Sequence, residues 1–542
     1  MNLLSTGIVV RSSNLLLIPL IFLFTSFVYV FFGGVYLYGV DPEFNYLFNG
    51  ISLAHLKLHL NAVGHPGTPI QILIAIVAQI VHLFRPGQSI WDDVMLHPEF
   101  YIKSTIYTAN VVNALFLLIL GYKTYKYTKS MITAMVLQIS PFAFLMTLEI
   151  SFRLMPELIM ISLISCWIIL LVKMIYEPPE QRNIKKYSLL FGILFGISLA
   201  DKLTFITFFF LPMFLLPGIL SKIRYSLISI ISFALFAFPA MLNFHKFSGW
   251  VTDIFIHKGP YGTGAEGVVD WQVFFANLSI LLKNTLQLWI PLLITLILAF
   301  FSIRDARKDL RVRLAFGIAT TVILHYAITS KHYAFYYFTP SLLFTVFLAF
   351  LSCLLIGRIF PQVEKKKFPE YLLIIFTLVL IINVLPKLNR QMSGLQNRNK
   401  SIKSAMHKFE PYLSSKEPKI VCAYYYGGAS IEYSLLFGLL ESGKYKRELN
   451  MEFQKHYPST IIYLPWADSF YDGVNTSDPD NFLVPDTRYI LYIADYSQEL
   501  LNKLLARLNT DKLLYKQEID LIEKSDETRE AIYSFKLTGK ND

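Results

Sequence analysis

The sequence predicts a polytopic all-α membrane protein of about eleven spanning helices, with juxtamembrane helices and a C-terminal extracytoplasmic α/β domain. Three observations lead there. Hydrophobic residues make up 54% of the 542 and charged ones only 16%, where an average soluble protein carries about 25% charged residues. Apolar segments recur near 15–38, 101–121, 131–148, 155–175, 226–245, 284–303, 314–330, 338–357 and 370–386; bilayer crossing needs roughly 17–25 such residues. Beyond Pro386 the chain becomes more polar. There, short apolar runs such as Ile461–Leu464 and Tyr489–Ile493 are separated by helical stretches such as Gln498–Leu508.

The apolar block 187–220 is interrupted by Asp201-Lys202 and reads as two short spans with that pair at their turn. Pro69–Phe84 is apolar but starts in Pro and Gly and ends at Arg85-Pro86-Gly87. Counted as a span, it sends Lys123, Lys126, Lys129, Arg182, Lys185, Lys186, Arg304, Arg307, Lys308, Arg311 and Arg313 to the outer side. Laid on the outer surface, it leaves them all cytoplasmic, as the positive-inside rule requires. The N-terminus is then cytoplasmic, and 39–100, 149–154, 201–202, 246–283, 330–337 and the tail lie outside. The predicted division is a membrane module over 1–386, with an outer loop at 39–100, and a soluble domain over 387–542.

The net charge of +11 belongs to these inter-span clusters, so nucleic acid is not an expected partner. The run from Leu15 to Tyr38, behind Arg11, is too long for a signal-peptide core and reads as a retained anchor in the plasma or inner membrane. Three cysteines make no disulfide framework. Cys166 and Cys353 sit in apolar runs, and Cys422 reads as a buried thiol in the tail. No internal repeat of helix pairs is evident, which weighs against a transporter.

Polar residues beside lipid are costly and mark function. Asp41-Pro42-Glu43-Phe44-Asn45-Tyr46 follows the first apolar run, and Gly64-His65-Pro66-Gly67-Thr68-Pro69 follows it in turn. Asp41, Pro42 and Glu43 also suit a helix N-cap, a first helical position and a first turn, so capping is their ordinary reading. Tyr46 and Asn49 continue at helical spacing, lining one face of an outer-surface helix, where Asp41 or Glu43 can accept a proton from a hydroxyl. His65-Pro66 otherwise starts the next helix. His55 and His59 lie one helical turn apart but lack the Glu of a zinc-protease motif, Leu56 standing there, so metal binding is not expected. Arg153 and Glu157 follow in Ser151–Glu157, then Lys202, and then Lys331, His332 and Tyr333. Each alone is more often an interfacial anchor or a capping residue, and Lys202 would pair with Asp201 or snorkel. Their shared sidedness suggests a cationic grip for a phosphate. The glycine-rich loop 246–283, with Gly259-Pro260-Tyr261-Gly262-Thr263-Gly264, lacks the context of a phosphate cradle and reads as a connector. Asn277-Leu278-Ser279 and Asn475-Thr476-Ser477 fit the glycosylation sequon.

In order and spacing these motifs resemble the GT-C superfamily of membrane glycosyltransferases, above all the protein O-mannosyltransferase and aminoarabinose-transferase group, glycosyltransferase family 39. Asp41–Tyr46 and His65–Pro69 stand where that group has an acidic first-loop motif and a His-Pro turn. Ser151–Glu157 is similar to its Arg-and-acid motif, Gly196–Lys202 to its glycine-then-lysine segment, and His332-Tyr333 with Phe338-Thr339-Pro340 to its late His-Tyr and Pro element. The likeness covers about 1–386; Pro42 departs from it by separating two acids that are adjacent in many members. It implies a GT-C fold and a polyprenyl-phosphate sugar donor. It also implies an inverting transfer to a hydroxyl of a lipid, glycan or protein, with Asp41 or Glu43 as catalytic base. Arg153, with Lys202 or Lys331 and His332, would bind the phosphate; Tyr46, His65, Glu157 and Tyr333 complete the expected substrate-binding set. No cofactor is implied, and a divalent cation is left open. The rival readings are a transporter or flippase of lipid-linked sugars and a catalytically inactive glycolipid-binding relative.

Overall fold

The computed structural model describes residues 13–33, 41–85, 89–259, 262–305, 309–362, 368–413, 417–423, 430–478, 482–484, 487–494, 496–508, 516–526 and 529–538. Arg11, residues 34–38 of the first apolar run, Pro86-Gly87, Pro260-Tyr261, Arg307 and Lys308 lie outside the described residues.

Among the described residues, seven helices are long and apolar enough to cross a membrane: Asn14–Phe32, Pro98–Thr128, Pro156–Tyr176, Ile219–Phe236, Leu310–Lys331, Phe335–Ile359 and Phe368–Leu413. Trp271–Asn284 and Leu286–Phe301, bent by 88° at their junction, form an eighth candidate. The protein is an integral membrane protein. The remaining expected spans are the short or broken ones. Residues 131–148 divide into Met131–Gln138, a 3₁₀ turn at Ser140–Phe142 and Leu145–Glu149, because Pro141 cannot donate to a helical ladder. Residues 187–220 become Ile184–Asp201, a 3₁₀ segment Leu203–Phe209 and Phe210–Leu215, with Asp201-Lys202 at the break as expected.

Two spans differ most from their expected bounds. The span expected at 226–245 begins at Ile219, directly after Pro217-Gly218, and ends at Phe236, ahead of the short helix Phe238–Met241. The last span does not stop at Pro386: one helix of 46 residues runs from Phe368 to Leu413. The expected connector 246–283 is mostly helical, with Phe244–Ile256 and Trp271–Asn284 flanking a β-bridge between His257 and Glu266.

The chain forms two compact units. The first gathers Met1–Val28, Val63–Ile70 and Ile106–Asn389. Within it, Ile184–Asp201 packs on Ile219–Phe236 through Gly192 and Gly196, four residues apart on one face. A Cβ on Gly196 would lie 2.6 Å from the Phe233 amide nitrogen and against the Ser232 side chain. Small residues that let backbones approach in this way are a device of membrane helix pairs.

The second unit gathers Tyr29–Ala62, Gln71–Thr105 and Arg390–Asp542. Its sheet has strands β1 (Lys419–Ala423), β2 (Thr460–Leu464), β3 (Ser469–Tyr471), β4 (Thr476–Ser477), β5 (Arg488–Ala494), β6 (Lys516–Ser525) and β7 (Glu530–Thr538). The strand order is β4-β3-β2-β1-β5-β7-β6. The centre, β2-β1-β5, is parallel, and both flanks are antiparallel. Central β1 is buried throughout, as befits a parallel strand covered on both faces, and Cys422 is the buried thiol expected there. Cys422 packs with Ile420, Tyr463, Leu491, Leu504 and Phe535. Glu43–Ala54, most of Thr68–Phe84, and Ile90–Leu96 belong to this unit as well.

Because backbone atoms cannot yield as a flexible side chain would, Gly196→Val is expected to destabilise the first unit by about 1–3 kcal/mol. The check is its unfolding temperature in detergent against that of Leu189→Val, at an exposed position of the same helix.

Candidate active site

The first unit holds a compact set of polar groups at a place where its helices unwind. From Ile150 to Ile159 the chain runs as two short 3₁₀ turns, Ile150–Phe152 and Pro156–Ile159. Their loose carbonyls are taken up by two buried amides on Pro98–Thr128. Asn110 donates to the Ser151 carbonyl (2.6 Å), and Asn113 donates to that of Leu158 (2.8 Å). Asn113 also accepts from the backbone and hydroxyl of Ser162, at 3.1 and 2.6 Å. Buried backbone groups must find partners, and these asparagines let an irregular segment persist among helices.

That segment carries Arg153, half-buried, and Glu157, which is fully buried. Lys202, at the C-terminal end of Ile184–Asp201, is only 3% exposed, and its ammonium lies 2.6 Å from Glu157 Oε1. The expected partner, Asp201, is not the one used. The Asp201 carboxyl is buried with neither oxygen hydrogen-bonded among the described residues. Nor does Lys202 snorkel: its ammonium stands over the rings of Tyr337 (4.7 Å to the centroid) and Tyr336 (5.4 Å). A desolvated cation on an aromatic face gains roughly 2 kcal/mol or more.

Tyr337 ties this pair to His65. The His65 Nε2 and the Tyr337 hydroxyl are 3.0 Å apart, and the His65 ring meets Tyr337 and Trp250 edge-on. Gly64 permits the Trp250 contact, since a Cβ there would come within 3.2 Å of the indole. Burial first, and the Lys202 charge second, push His65 well below its usual range, so the imidazole is neutral. His325 accounts for the placement of Tyr337 itself, with Nε2 at 2.9 Å from the Tyr337 carbonyl and Nδ1 at 2.7 Å from the Ser341 hydroxyl.

The structure therefore brings together His65, Glu157 and Lys202. It turns Lys331 and His332 elsewhere. Lys331 donates to the carbonyls of Ile254 and Phe255 (2.5 and 3.1 Å), and His332 Nε2 is 3.1 Å from the Ile254 carbonyl. Both cap the C-terminus of Phe244–Ile256, where unpaired carbonyls accept hydrogen bonds and the helix dipole favours the Lys331 charge. Tyr333 is half-buried; the tyrosines at Lys202 are Tyr336 and Tyr337, three and four residues further on. Asn277 donates to the Ser330 carbonyl (3.0 Å) from within a helix, so its sequon is not on an open loop.

In the second unit, Asp41 is not the helix N-cap. Pro42 takes that position, its carbonyl accepting from the Tyr46 amide at 3.0 Å, while the exposed Asp41 carboxylate accepts from Asn45 Nδ2 at 3.0 Å. Glu43 is buried, and so are Tyr46 and Asn49, which the sequence reading set along a helix face at the membrane surface. His55 and His59 are not one helical turn apart, because the helix ends at Ala54; His55 stacks on Trp91 at 4.7 Å. Among the described residues, no group of three or more His, Cys, Asp or Glu side chains could hold a metal.

No protein-family model matches the chain, and no curated protein does. Solved structures do. The crystal structure of ArnT from Cupriavidus metallidurans bound to undecaprenyl phosphate is 12% identical over 98% of each chain, with a TM-score of 0.51. Its apo form gives 12%, 98% of each chain and 0.49. The chain has an ArnT-like GT-C fold. The polytopic helical module and the C-terminal sheet both match that class.

Sequence reading missed Tyr336, Tyr337, Trp250, Asn110, Asn113 and His325. The Phe335–Phe338 aromatic run ahead of Thr339-Pro340 was the available signal; the asparagines offered none, since only their packing distinguishes them.

Breaking a buried pair strands a charge, so Lys202→Met is expected to cost roughly 3–5 kcal/mol. The double variant Glu157→Gln/Lys202→Met should recover most of that loss, as read from unfolding temperatures in detergent. His65 takes up a proton readily only when unfolded, so its contribution destabilises the fold as pH falls below about 6.5. Between pH 7 and pH 5, His65→Phe should lose less stability than the wild type.

Proposed function

We propose that the protein is an integral membrane glycosyltransferase that moves a sugar from a polyprenyl-phosphate donor to an acceptor hydroxyl at the extracytoplasmic face. The observation that carries the reading is the buried Lys202, held between Glu157 and two tyrosine rings beside a neutral His65. The ArnT-like fold supports it, ArnT being an aminoarabinose transferase whose crystal structure contains undecaprenyl phosphate. A lysine held in low dielectric suits an anion far better than a neutral ligand.

In this reading, Lys202 binds the donor phosphate, with Arg153 as a second cation. The phosphate oxygen leaves the anomeric carbon with the bonding electron pair, and its charge is stabilised by groups already in place. The acceptor oxygen forms the new bond from the opposite side, inverting the centre, and its proton passes to a carboxylate. Asp41 suits that base better than Glu43, because Asp41 is exposed and Glu43 is buried. Glu157 fixes the Lys202 ammonium, and the His65–Tyr337 pair offers neutral hydrogen bonds to phosphate or sugar oxygens. Lys331 and His332 serve Phe244–Ile256, the helix that brings Trp250 to His65.

Protein reconstituted in lipid, given labelled polyprenyl-phosphate sugars and a host glycolipid extract, should move label covalently to acceptor. Loss of a general base costs roughly 10²–10⁴-fold, so Asp41→Asn should lower kcat by that factor while donor KM stays put; retained turnover would remove Asp41 from the role. Lys202→Gln should raise donor KM. Mass spectrometry of host surface glycans with and without the gene would identify the sugar.

A further inference from the structure

Glu43–Ala54 is buried on all sides: apart from Asn45, none of its twelve residues is even partly open to solvent. A helix buried on every face needs a partner on every face, and its polar groups need partners too. One of those partners, within the same unit, is the helix Ile431–Leu440. Their contact is closest at Gly438, where a Cβ would run into the Phe48 ring and lie 3.0 Å from Phe44 Cβ. A larger residue there would press on the Phe48 ring and on Phe44 Cβ, both on the helix that begins beside Asp41.

Directly after Phe48, Asn49 uses both ends of its amide. Its Nδ2 donates to the Asn45 carbonyl (2.7 Å) and to the Glu441 carbonyl (3.0 Å), while its Oδ1 accepts from the amides of Asn61 (2.9 Å) and Ala62 (3.2 Å). Asn61 in turn donates to Glu441 Oε2 at 2.9 Å. A fully used amide has one orientation, so this network sets both the rotation and the axial position of the helix. The same surface is reinforced by the Lys57–Glu448 ion pair and by His456 against Asp92. Asp41, tied to Asn45, takes its position from the helix start.

We propose that the C-terminal domain positions the Asp41 base through the Gly438 contact and the Asn49–Glu441 network. This rests on the function proposed above. Displacing a reacting group by about 1 Å can cost on the order of 10²-fold in rate, and a clamp at two successive turns of one helix opposes slippage and rotation together. Gly438, Asn49 and Glu441 act through the helix and are positioning residues.

The test uses the full chain in lipid, with labelled polyprenyl-phosphate hexoses and aminopentoses as donors. In Gly438→Val, kcat should fall at least tenfold with donor KM within twofold. Amide exchange in the 43–54 peptide should accelerate while peptides from 106–389 keep their protection. Phe48→Ala added to Gly438→Val makes room for the valine and should restore most of kcat. Asn49→Ala, which adds no bulk, should show the same kcat loss and unchanged KM. Faster exchange at 43–54 with unchanged kcat in both single variants overturns the proposal, as does unchanged exchange. If the wild type moves no label from any of these donors, the glycosyltransferase reading fails and takes the catalytic part of the proposal with it. Accelerated exchange would in that case still establish the clamp.

Discussion

A lysine and a glutamate, both withdrawn from solvent, face each other at 2.6 Å in the first unit. Removing two charges from water is expensive, and their attraction offsets that expense only with good geometry and further contacts. Much of the surrounding structure meets this demand. The Tyr336 and Tyr337 rings cover the ammonium, and His65 Nε2 holds the Tyr337 hydroxyl at 3.0 Å. Neutral imidazole is the form of His65 compatible with a nearby cation, and burial enforces it.

The pair also explains why the helices around it are irregular. Glu157 sits in a 3₁₀ turn, and Lys202 is the extended residue between Ile184–Asp201 and the 3₁₀ segment that follows. Regular helices would send these side chains along fixed faces; unwound ends can aim them inward. Unwinding leaves backbone carbonyls unpaired, and Asn110 and Asn113 satisfy two of them from a neighbouring helix. Membrane proteins tolerate such backbone where protein surrounds it or where it lines a water-filled cavity. The second unit shows the same economy by another route. There, the helix beside Asp41 stays regular, and its position is set by a missing side chain at Gly438 and a fully bonded Asn49.

Much of the architecture was readable from residue order. Apolar run length marked most spans, Pro141 sat where one of them breaks, and the alternating tail announced a sheet. Run length failed where helices change character without changing hydropathy. It did not foresee that Phe368–Leu413 carries on through Pro386, or that most of 246–283 is helical. The candidate site was half readable: His65, Glu157 and Lys202 stood out as polar residues next to apolar runs, and the structure brings them together. Lys331 and His332 stood out in the same way, yet they cap a helix, because a cation at a span end looks alike in either role.

What the sequence determined by itself is composition-driven: a membrane-spanning helical module, a polar tail with strand-forming runs, and a short set of polar residues beside apolar runs. Hydrophobic transfer and backbone satisfaction act residue by residue, so they can be summed along a chain. Partner choice cannot. Lys202 pairing with Glu157 instead of its neighbour Asp201, and Asn49 meeting Glu441 from 392 positions away, are contacts between distant segments. Only tertiary packing selects among the many partners that local chemistry would accept.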